Sequence, residues 1–239
     1  VNNLRQILVS QGSTAQIIAK IETKAAIEPE TLKEIVKAAD GVMAARGDMA
    51  VETSAEIVPI VEREIIRLCR KYGKLSIVAT QMMASMVDSP EPTRAEVSDV
   101  ATAAILGTDV VMLSDETANG NYPVETVKMM ADTVRYTQSR WPMNDMPIEE
   151  GEANRRRNAI AHAAVEVAER VDADLIIAET KSGATAARIA ALRPELPIIA
   201  VTPSPRVAQQ LALSYATRSY VRDDEEHAGV NVAKELLTT

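Results

Sequence analysis

A lysine and two carboxylates stand at the ends of two neighbouring apolar segments. Lys20 and Glu22 end the segment QIIAKIE, and Asp48 ends the segment GVMAARGD. Residues two apart in a strand lie on the same face, so Lys20 and Glu22 are expected to point the same way. Two carboxylates with few other protein ligands suit Mg²⁺, which keeps several waters and takes oxygen atoms from its substrate. An ammonium beside such an ion would stabilise a phosphoryl group during transfer.

A plainer interpretation of the same residues is a surface ion pair, which contributes little to stability and carries out no chemistry. The next two apolar segments also end in polar residues, with Thr80 and Gln81 in LSIVATQM and Ser114 to Glu116 in DVVMLSDE. A single strand commonly becomes polar where it leaves the core for a loop. Four successive strands with polar carboxyl ends favour a functional edge.

Helix-length stretches separate these strands. Pro29 stands near the start of one stretch, Ser54 precedes a second, and Gly73 and Gly107 close the second and third. Strands that alternate with helices predict a parallel sheet with right-handed crossovers. The carboxyl edge of such a sheet, whether open or closed into a barrel, is where ligands bind.

A second, smaller α/β unit is predicted beyond a boundary rich in proline. The boundary, WPMNDMPIEEGEAN, has neither helical nor strand periodicity and is interpreted as a linker over residues 141–154. Beyond it we predict a helix over 155–170, the strands LIIAET, PIIAVT and SYVRD, and a last helix near 226–237. The predicted domains are therefore residues 1–140 and 155–239.

Composition restricts the partners of the chain. Its 239 residues include 26 Lys+Arg and 34 Asp+Glu, for a formal net charge of −8, which disfavours nucleic acid and acidic membrane surfaces. No apolar run approaches the ~20 residues of a membrane span, and the N-terminus lacks the features of a signal peptide. A single cysteine, Cys69, fits a reducing compartment, so a cytoplasmic protein is expected.

Long segments of the chain resemble pyruvate kinase. They are IIAKIETKAAI, DGVMAARGDMAVE, ATQMMASMVDSPEPTRAEVSDVATAAILGTDVVMLSDETANGNYPVE and TKSGATAARIAALRPELPIIAVT. The resemblance covers nearly the whole chain from Leu4 onward, in the family's order and at family-like spacing. It implies an α/β fold made of half of a (β/α)₈ TIM-type barrel, strands five to eight, and a truncated C-terminal α/β regulatory domain.

The resemblance also implies a reaction, in which phosphate passes from phosphoenolpyruvate to ADP and gives pyruvate and ATP in glycolysis. Lys20 would stabilise the phosphoryl group in transfer, and Glu22 and Asp48 would hold Mg²⁺ or Mn²⁺. The K⁺ of the parent enzyme would be bound by residues outside this chain, as would the phosphates of the nucleotide.

Substrate binding is implied for the residues that follow the second and third strands. Ala45, Gly47 and Asp48 would form a helical turn whose backbone amides receive the carboxylate of phosphoenolpyruvate. Thr80 would lie near the methylene carbon, where it helps the enolate take up a proton. The sequence departs from the family at Asp115, where glycine is common, and this adds a carboxylate near the cleft.

The loop TKSGAT follows a strand and precedes a helix. By resemblance Thr180, Lys181, Ser182, Gly183 and Thr185 would bind the phosphate of a sugar-phosphate effector. The alternative is an ordinary helix cap, because Ser and Thr before a helix usually accept hydrogen bonds from its first amides.

Two hypotheses remain open for the chain as a whole. The first is a pyruvate kinase chain that is inactive as these 239 residues alone, since it lacks the surfaces for nucleotide and K⁺. The second is a non-catalytic regulatory or assembly fragment that keeps the effector loop and the interface surfaces. Half a barrel has two unpaired strand edges, so we expect a homo-oligomer, such as the family's tetramer, or pairing with a missing N-terminal half.

Overall fold

Residues 1–141 and 155–237 are described by a computed structural model of the chain. The chain divides into two compact units, Val1–Asn144 and Asp145–Thr239. The predicted linker over 141–154 lies outside the described residues except for Trp141, so its bounds stay a prediction. No helix in the described ranges is both long and apolar enough to cross a membrane.

The first unit alternates strands and helices, as the sequence predicts. Its elements are α1 (Asn2–Ser10), β1 (Ile18–Ile21), α2 (Pro29–Ala38), β2 (Gly41–Ala45), α3 (Arg46–Glu52), α4 (Val58–Tyr72), β3 (Leu75–Ala79), a 3₁₀ turn (Ala84–Val87), α5 (Arg94–Leu106), β4 (Val110–Met112), α6 (Asp115–Ala118) and α7 (Pro123–Arg140). The four strands form one parallel sheet in the order β1-β2-β3-β4. All their carboxyl ends therefore lie at one edge.

All four strands of the first unit are shorter than their apolar runs suggest: β1 keeps only Ile18–Ile21 of the run 16–22, and β3 ends at Ala79 in the run 75–82. The prediction of a strand over 41–48 is wrong beyond Ala45, because α3 begins directly at Arg46. The prediction over 109–116 is wrong beyond Met112, and Asp115 and Glu116 belong to α6. The polar residues of both segments thus lie on short helices just beyond the strand ends.

The core of the first unit is built without phenylalanine. All five residues of β3, a central strand of the sheet, are buried. Methionines fill much of one side, where Met82, Met83 and Met86 are fully buried and pack in a cluster with Val100 and Met130. Flexible, unbranched side chains suit such irregular gaps.

The second unit contains a smaller parallel sheet. Its elements are α8 (Arg155–Arg170), β5 (Ile176–Glu179), α9 (Ala184–Ala191), β6 (Ile198–Thr202), α10 (Pro205–Leu211), β7 (Thr217–Val221) and α11 (Ala228–Leu237). The strands are parallel in the order β5-β6-β7, and every residue of β6 is buried. The predicted helix over 155–170 is confirmed.

Candidate active site

Lys20 and Glu22 form an ion pair at the carboxyl end of β1. Their two-residue spacing predicts this meeting of side chains on one face. Oε1 of Glu22 is shielded from solvent and, apart from this ion pair, has no hydrogen-bond partner among the described residues. The hydrogen bond with Glu22 and its negative charge raise the pKa of Lys20, and the charge of Asp48 adds to the effect. Lys20 is therefore a firmly protonated cation at the edge of the sheet.

Asp48 lies in the first turn of α3, with its side chain exposed to solvent. The strand register brings it near the pair on β1, because Ile21 lies beside Ala44 and α3 begins two residues after Ala44. In the described part of the chain, no group of three or more His, Cys, Asp and Glu side chains could hold a metal ion. The two carboxylates of Glu22 and Asp48 fit an ion that takes its remaining ligands from water and substrate.

Gly47 and Thr80 connect the ends of β2 and β3. The amide N–H of Gly47 donates to Oγ1 of Thr80 over 2.9 Å. This amide is thus occupied in the structure, whereas the family resemblance assigns it to a substrate carboxylate. A Cβ built on Gly47 would meet only Thr80, at 3.7 Å from Oγ1 and 3.9 Å from Cβ. Within the described residues, the space above Gly47 is otherwise open and could admit a ligand.

The backbone of the segment after β3 is strained. Thr80 and Gln81 have φ values of 70° and 53°, in the left-handed region. That region is unfavourable for most residues and most of all for a β-branched one such as Thr. Such a conformation persists only where the surrounding structure enforces it, and here it directs the hydroxyl of Thr80 towards Gly47.

Arg46 enforces this conformation from the start of α3. Its Nε donates to the carbonyl oxygens of Ala79 (3.3 Å) and Thr80 (3.2 Å), and its Nη2 donates to that of Thr80 at 2.6 Å. Only 9% of Arg46 is exposed, and its Nη1 pairs with Glu62 (3.2 Å) and Asp99 (2.5 Å). The guanidinium of Arg46, which directly follows β2, therefore contacts the end of β3, Glu62 of α4 and Asp99 of α5.

Glu62 is held in an unusual environment by this arrangement. Burial raises the pKa of its carboxyl group, and the positive charge of Arg46 opposes that rise only in part. No role was predicted for Arg46, Glu62 or Asp99 from the sequence. An arginine inside an otherwise apolar run was the one available signal, since such a residue needs partners once it is buried.

Glu116 has a structural place in the segment after β4. It is 2% exposed, and its carboxylate accepts hydrogen bonds from the amides of Met83 (3.2 Å) and Ser114 (2.7 Å). Gly120 packs so closely that a Cβ there would lie 2.5 Å from the carbonyl oxygen of Glu116. Asp115 is exposed, and its side chain accepts a hydrogen bond from Asn119. Through these two hydrogen bonds, Glu116 links the segment after β3 to the segment after β4. Its carboxylate is therefore not available as a ligand.

The predicted effector loop lies between β5 and α9 in the second unit. Gly183 occupies the N-cap position of α9 with φ of 81°, and no side chain caps that helix. The plainer interpretation, that the loop hydroxyls cap the helix, is therefore wrong. Thr180 is buried, Ser182 and Thr185 are exposed, and Lys181 forms an ion pair of 2.5 Å with Asp224.

The fold places the protein in the α/β class. In its first unit, charged residues and a strained backbone segment lie at the carboxyl ends of the parallel strands. Two family models match the chain. "Pyruvate kinase, barrel domain" matches residues 1–127, and "Pyruvate kinase, alpha/beta domain" matches residues 158–238. The chain belongs to the pyruvate kinase family.

Curated relatives agree with this membership. Pyruvate kinase 2 of Synechocystis sp. is 41% identical over 243 residues, covering 98% of this chain and 40% of the relative. A pyruvate kinase of Agrobacterium vitis is 46% identical over 220 residues, covering 90% of this chain and 45% of the relative. The chain thus spans less than half the length of these relatives.

Solved structures show the same fold. The crystal structure of pyruvate kinase from Pyrobaculum aerophilum aligns with a TM-score of 0.88 and 34% identity, over 100% of this chain and 55% of that one. That of a Cryptosporidium parvum pyruvate kinase aligns with a TM-score of 0.87 and 35% identity, over 99% of this chain and 50% of that one.

Proposed function

We propose that this chain is the C-terminal half of a pyruvate kinase and carries half of the site that transfers phosphate from phosphoenolpyruvate to ADP. The observation that carries the proposal is the Lys20–Glu22 ion pair at the carboxyl edge, with the charge of Asp48 close enough to raise the pKa of Lys20. Membership of the pyruvate kinase family supports assigning this edge to that chemistry.

The chain's own residues have distinct tasks in this reaction. The protonated Lys20 attracts the negative charge that develops on the phosphoryl group as it leaves phosphoenolpyruvate. Glu22 and Asp48 would hold Mg²⁺ or Mn²⁺, which supplies charge neutralisation to the phosphoryl and enolate oxygens. The ion pair with Glu22 fixes the ammonium of Lys20 in position before substrate binds. The side chain of Lys20 therefore needs less ordering when the phosphoryl group is transferred.

The start of α3 and the segment after β3 would handle the remainder of the substrate. Ala45, Gly47 and Asp48 present the first backbone amides of α3 to the substrate carboxylate, with Gly47 exchanging its bond to Thr80 for one to substrate. The hydroxyl of Thr80, released from Gly47, would relay a proton from solvent water to the methylene carbon of enolpyruvate, taking up the water's proton as it gives its own. The strain at Thr80 would keep that hydroxyl in place.

The remaining parts of the proposal concern the rest of the enzyme. The sheet would correspond to strands five to eight of the barrel, with β1 and β4 at its edges ready to pair with an N-terminal half or a further copy. That half would bring ligands for K⁺ and for ADP and ATP. A sugar phosphate at the loop 180–185 would act as an effector, and the enzyme would work in the cytoplasm as an oligomer.

The test is binding of phosphoenolpyruvate to the 239-residue chain, measured by calorimetry with and without Mn²⁺. We expect Mn²⁺-dependent binding, with no pyruvate formed when ADP is added, because the nucleotide must also be positioned for transfer. Lys20→Met should leave phosphoenolpyruvate affinity within a few-fold and, in the parent enzyme that includes the N-terminal half, should lower turnover by orders of magnitude, whereas the neighbouring Lys24→Met should change neither.

Absence of any binding would favour the second candidate, a non-catalytic regulatory or assembly fragment. Turnover near that of whole pyruvate kinases would contradict the proposal that the other half is required. Normal turnover of the parent enzyme carrying Lys20→Met would remove this lysine from the mechanism.

A further inference from the structure

Glu62 of α4 is a buried carboxylate that the proposed reaction does not use. It is only 5% exposed, and among the described residues its one hydrogen bond comes from Nη1 of Arg46 at 3.2 Å. Burial raises the pKa of its carboxyl group, so the charged form is costly to hold in this place. A titratable side chain kept in such an environment calls for a physical explanation.

Neutralising Arg46 does not require Glu62. The same Nη1 donates to Oδ2 of Asp99 at 2.5 Å, and the side chain of Asp99 on α5 is 36% exposed and so remains partly hydrated. Asp99 alone would therefore balance the guanidinium at a smaller cost in desolvation than Glu62 does. The structure instead sets two carboxylates against one cation. What Glu62 adds is a second point of attachment for the guanidinium.

This second attachment fixes the place of the whole planar group. Glu62 lies on α4 and Asp99 on α5, so Nη1 of Arg46 is held between two helices. Without Glu62 the guanidinium could turn towards Asp99 and solvent. Because the group is rigid, its Nε and Nη2 would then move away from the carbonyl oxygen of Thr80, which they contact at 3.2 and 2.6 Å.

The position of Arg46 matters most once substrate is bound. In the structure two contacts hold Thr80 in its left-handed conformation: its hydroxyl accepts a hydrogen bond from the amide of Gly47, and its carbonyl accepts hydrogen bonds from Arg46. In the proposed reaction the amide of Gly47 turns to the substrate carboxylate, so the first contact is lost. The contact with Arg46 is then the one of the two that still keeps the hydroxyl of Thr80 in place.

We propose that Glu62 is a positioning residue for the proton transfer, acting through Arg46 to hold the hydroxyl of Thr80 against enolpyruvate. In that step a C–H bond forms at the methylene carbon as the O–H bond of Thr80 breaks, and a water molecule replaces the proton of Thr80 and is left as hydroxide. The inference rests on the proposed function and deepens it by adding a residue that touches neither substrate nor metal.

The first measurement is steady-state kinetics of the parent enzyme that includes the N-terminal half. Glu62→Met removes the acceptor but keeps the length of the side chain, and we expect kcat to fall about ten- to a hundredfold while the KM for phosphoenolpyruvate stays within about threefold. Glu62→Gln keeps an oxygen that can accept from Arg46, so its kcat should stay within about threefold of normal. Glu64→Met, on the same helix but with an exposed carboxylate, is the matched control and should change neither constant.

The second measurement follows the contact itself and needs no substrate. In the 239-residue chain the amide of Gly47 donates to Thr80, so its hydrogen exchange, followed by NMR, reports whether Thr80 is held in place. We expect this exchange to be about tenfold faster in Glu62→Met and close to normal in Glu62→Gln. The amide of Val78, within the buried strand β3, should exchange at the same rate in all variants, and the thermal unfolding midpoint should stay close to normal.

A kcat of Glu62→Met within about twofold of normal would overturn the proposal, as would a loss of kcat that Glu62→Gln shares. It is also overturned if the exchange of Gly47 is unchanged, or if Val78 and the unfolding midpoint change together with Gly47, since Glu62 would then be a general structural residue. If the unchanged parent enzyme makes no pyruvate, the proposed function itself fails. The exchange of Gly47 then still decides whether Glu62 holds Thr80 through Arg46.

Discussion

The amide of Gly47 and the hydroxyl of Thr80, 2.9 Å apart, join the first turn of α3 to the strained segment after β3. The two residues come from adjacent strand ends, since Ala45 pairs with Ala79 in the sheet register. The bond gives the buried side of the candidate site a defined shape without any ligand. It also fixes a hydroxyl and an amide at the place where we propose that the substrate carboxylate binds.

Removing the hydroxyl of Thr80 should destabilise the first unit. In Thr80→Val the amide of Gly47 loses its acceptor, so we expect the free energy of unfolding to fall by about 1 kcal/mol. Thr80→Ser keeps the oxygen and removes the β-branch that is unfavourable at this φ, so its loss should be smaller. Urea unfolding of the two variants measures the difference, and equal losses would argue against a role for the hydrogen bond.

Breaking the contacts of Arg46 should be far more costly. Arg46→Met leaves Glu62 buried without its cation and frees the carbonyl groups of Ala79 and Thr80, so we expect a loss of about 3–5 kcal/mol in unfolding free energy. The control is Arg67→Met on α4, whose pair with Glu64 is exposed and should contribute at most about 1 kcal/mol. Similar losses in both variants would show that Arg46 is not the structural centre of this edge.

The pH dependence of stability should include a contribution from Glu96. Burial tends to raise the pKa of this carboxyl group, but hydrogen bonds from Ser85 and Thr93 outweigh burial and lower it below its ordinary value of 4.5. The folded state therefore holds the proton less tightly than the unfolded state does. This stabilisation is fully present above pH 4.5 and is lost as the pH falls through the lower, folded-state pKa.

Glu96→Gln tests that sign. Unfolding free energies of the variant and the unchanged chain should differ most near neutral pH and converge as the pH falls below 4.5. Glu34→Gln, an exposed position on α2, serves as the control. A difference that stays constant across this pH range would mean that the loss comes from packing and not from ionisation.

Metal affinity should depend on both carboxylates of the candidate site. Titration of Mn²⁺, followed by electron paramagnetic resonance of the free ion, should show a large loss of affinity in Glu22→Gln and in Asp48→Asn, because each removes a charged oxygen ligand. Glu52→Gln lies at the other end of α3 and should bind Mn²⁺ like the unchanged chain. Unchanged binding in Glu22→Gln would return Lys20 and Glu22 to the interpretation of a surface ion pair.

Local patterns in the sequence predicted much of the fold. Gly73 and Gly107 end α4 and α5 in the left-handed conformation, as their positions after apolar helical stretches indicate. The alternation of strands and helices predicted parallel sheets, and a spacing of two predicted that Lys20 and Glu22 meet. These features depend on residues near one another in the chain, so their periodicity is visible in the sequence.

Contacts between distant residues were decided only by the tertiary structure. Arg46 meets the carbonyl of Thr80 and the carboxylate of Asp99 across 34 and 53 residues, and no periodicity links such positions. The left-handed backbone at Thr80 likewise opposes its local preference and exists because Arg46 and Gly47 hold it. The hydrogen bond from Arg188 to Asn158, across 30 residues, has the same origin. Residue types and spacing thus determined which groups reach the edge of each sheet, and packing determined which of them touch.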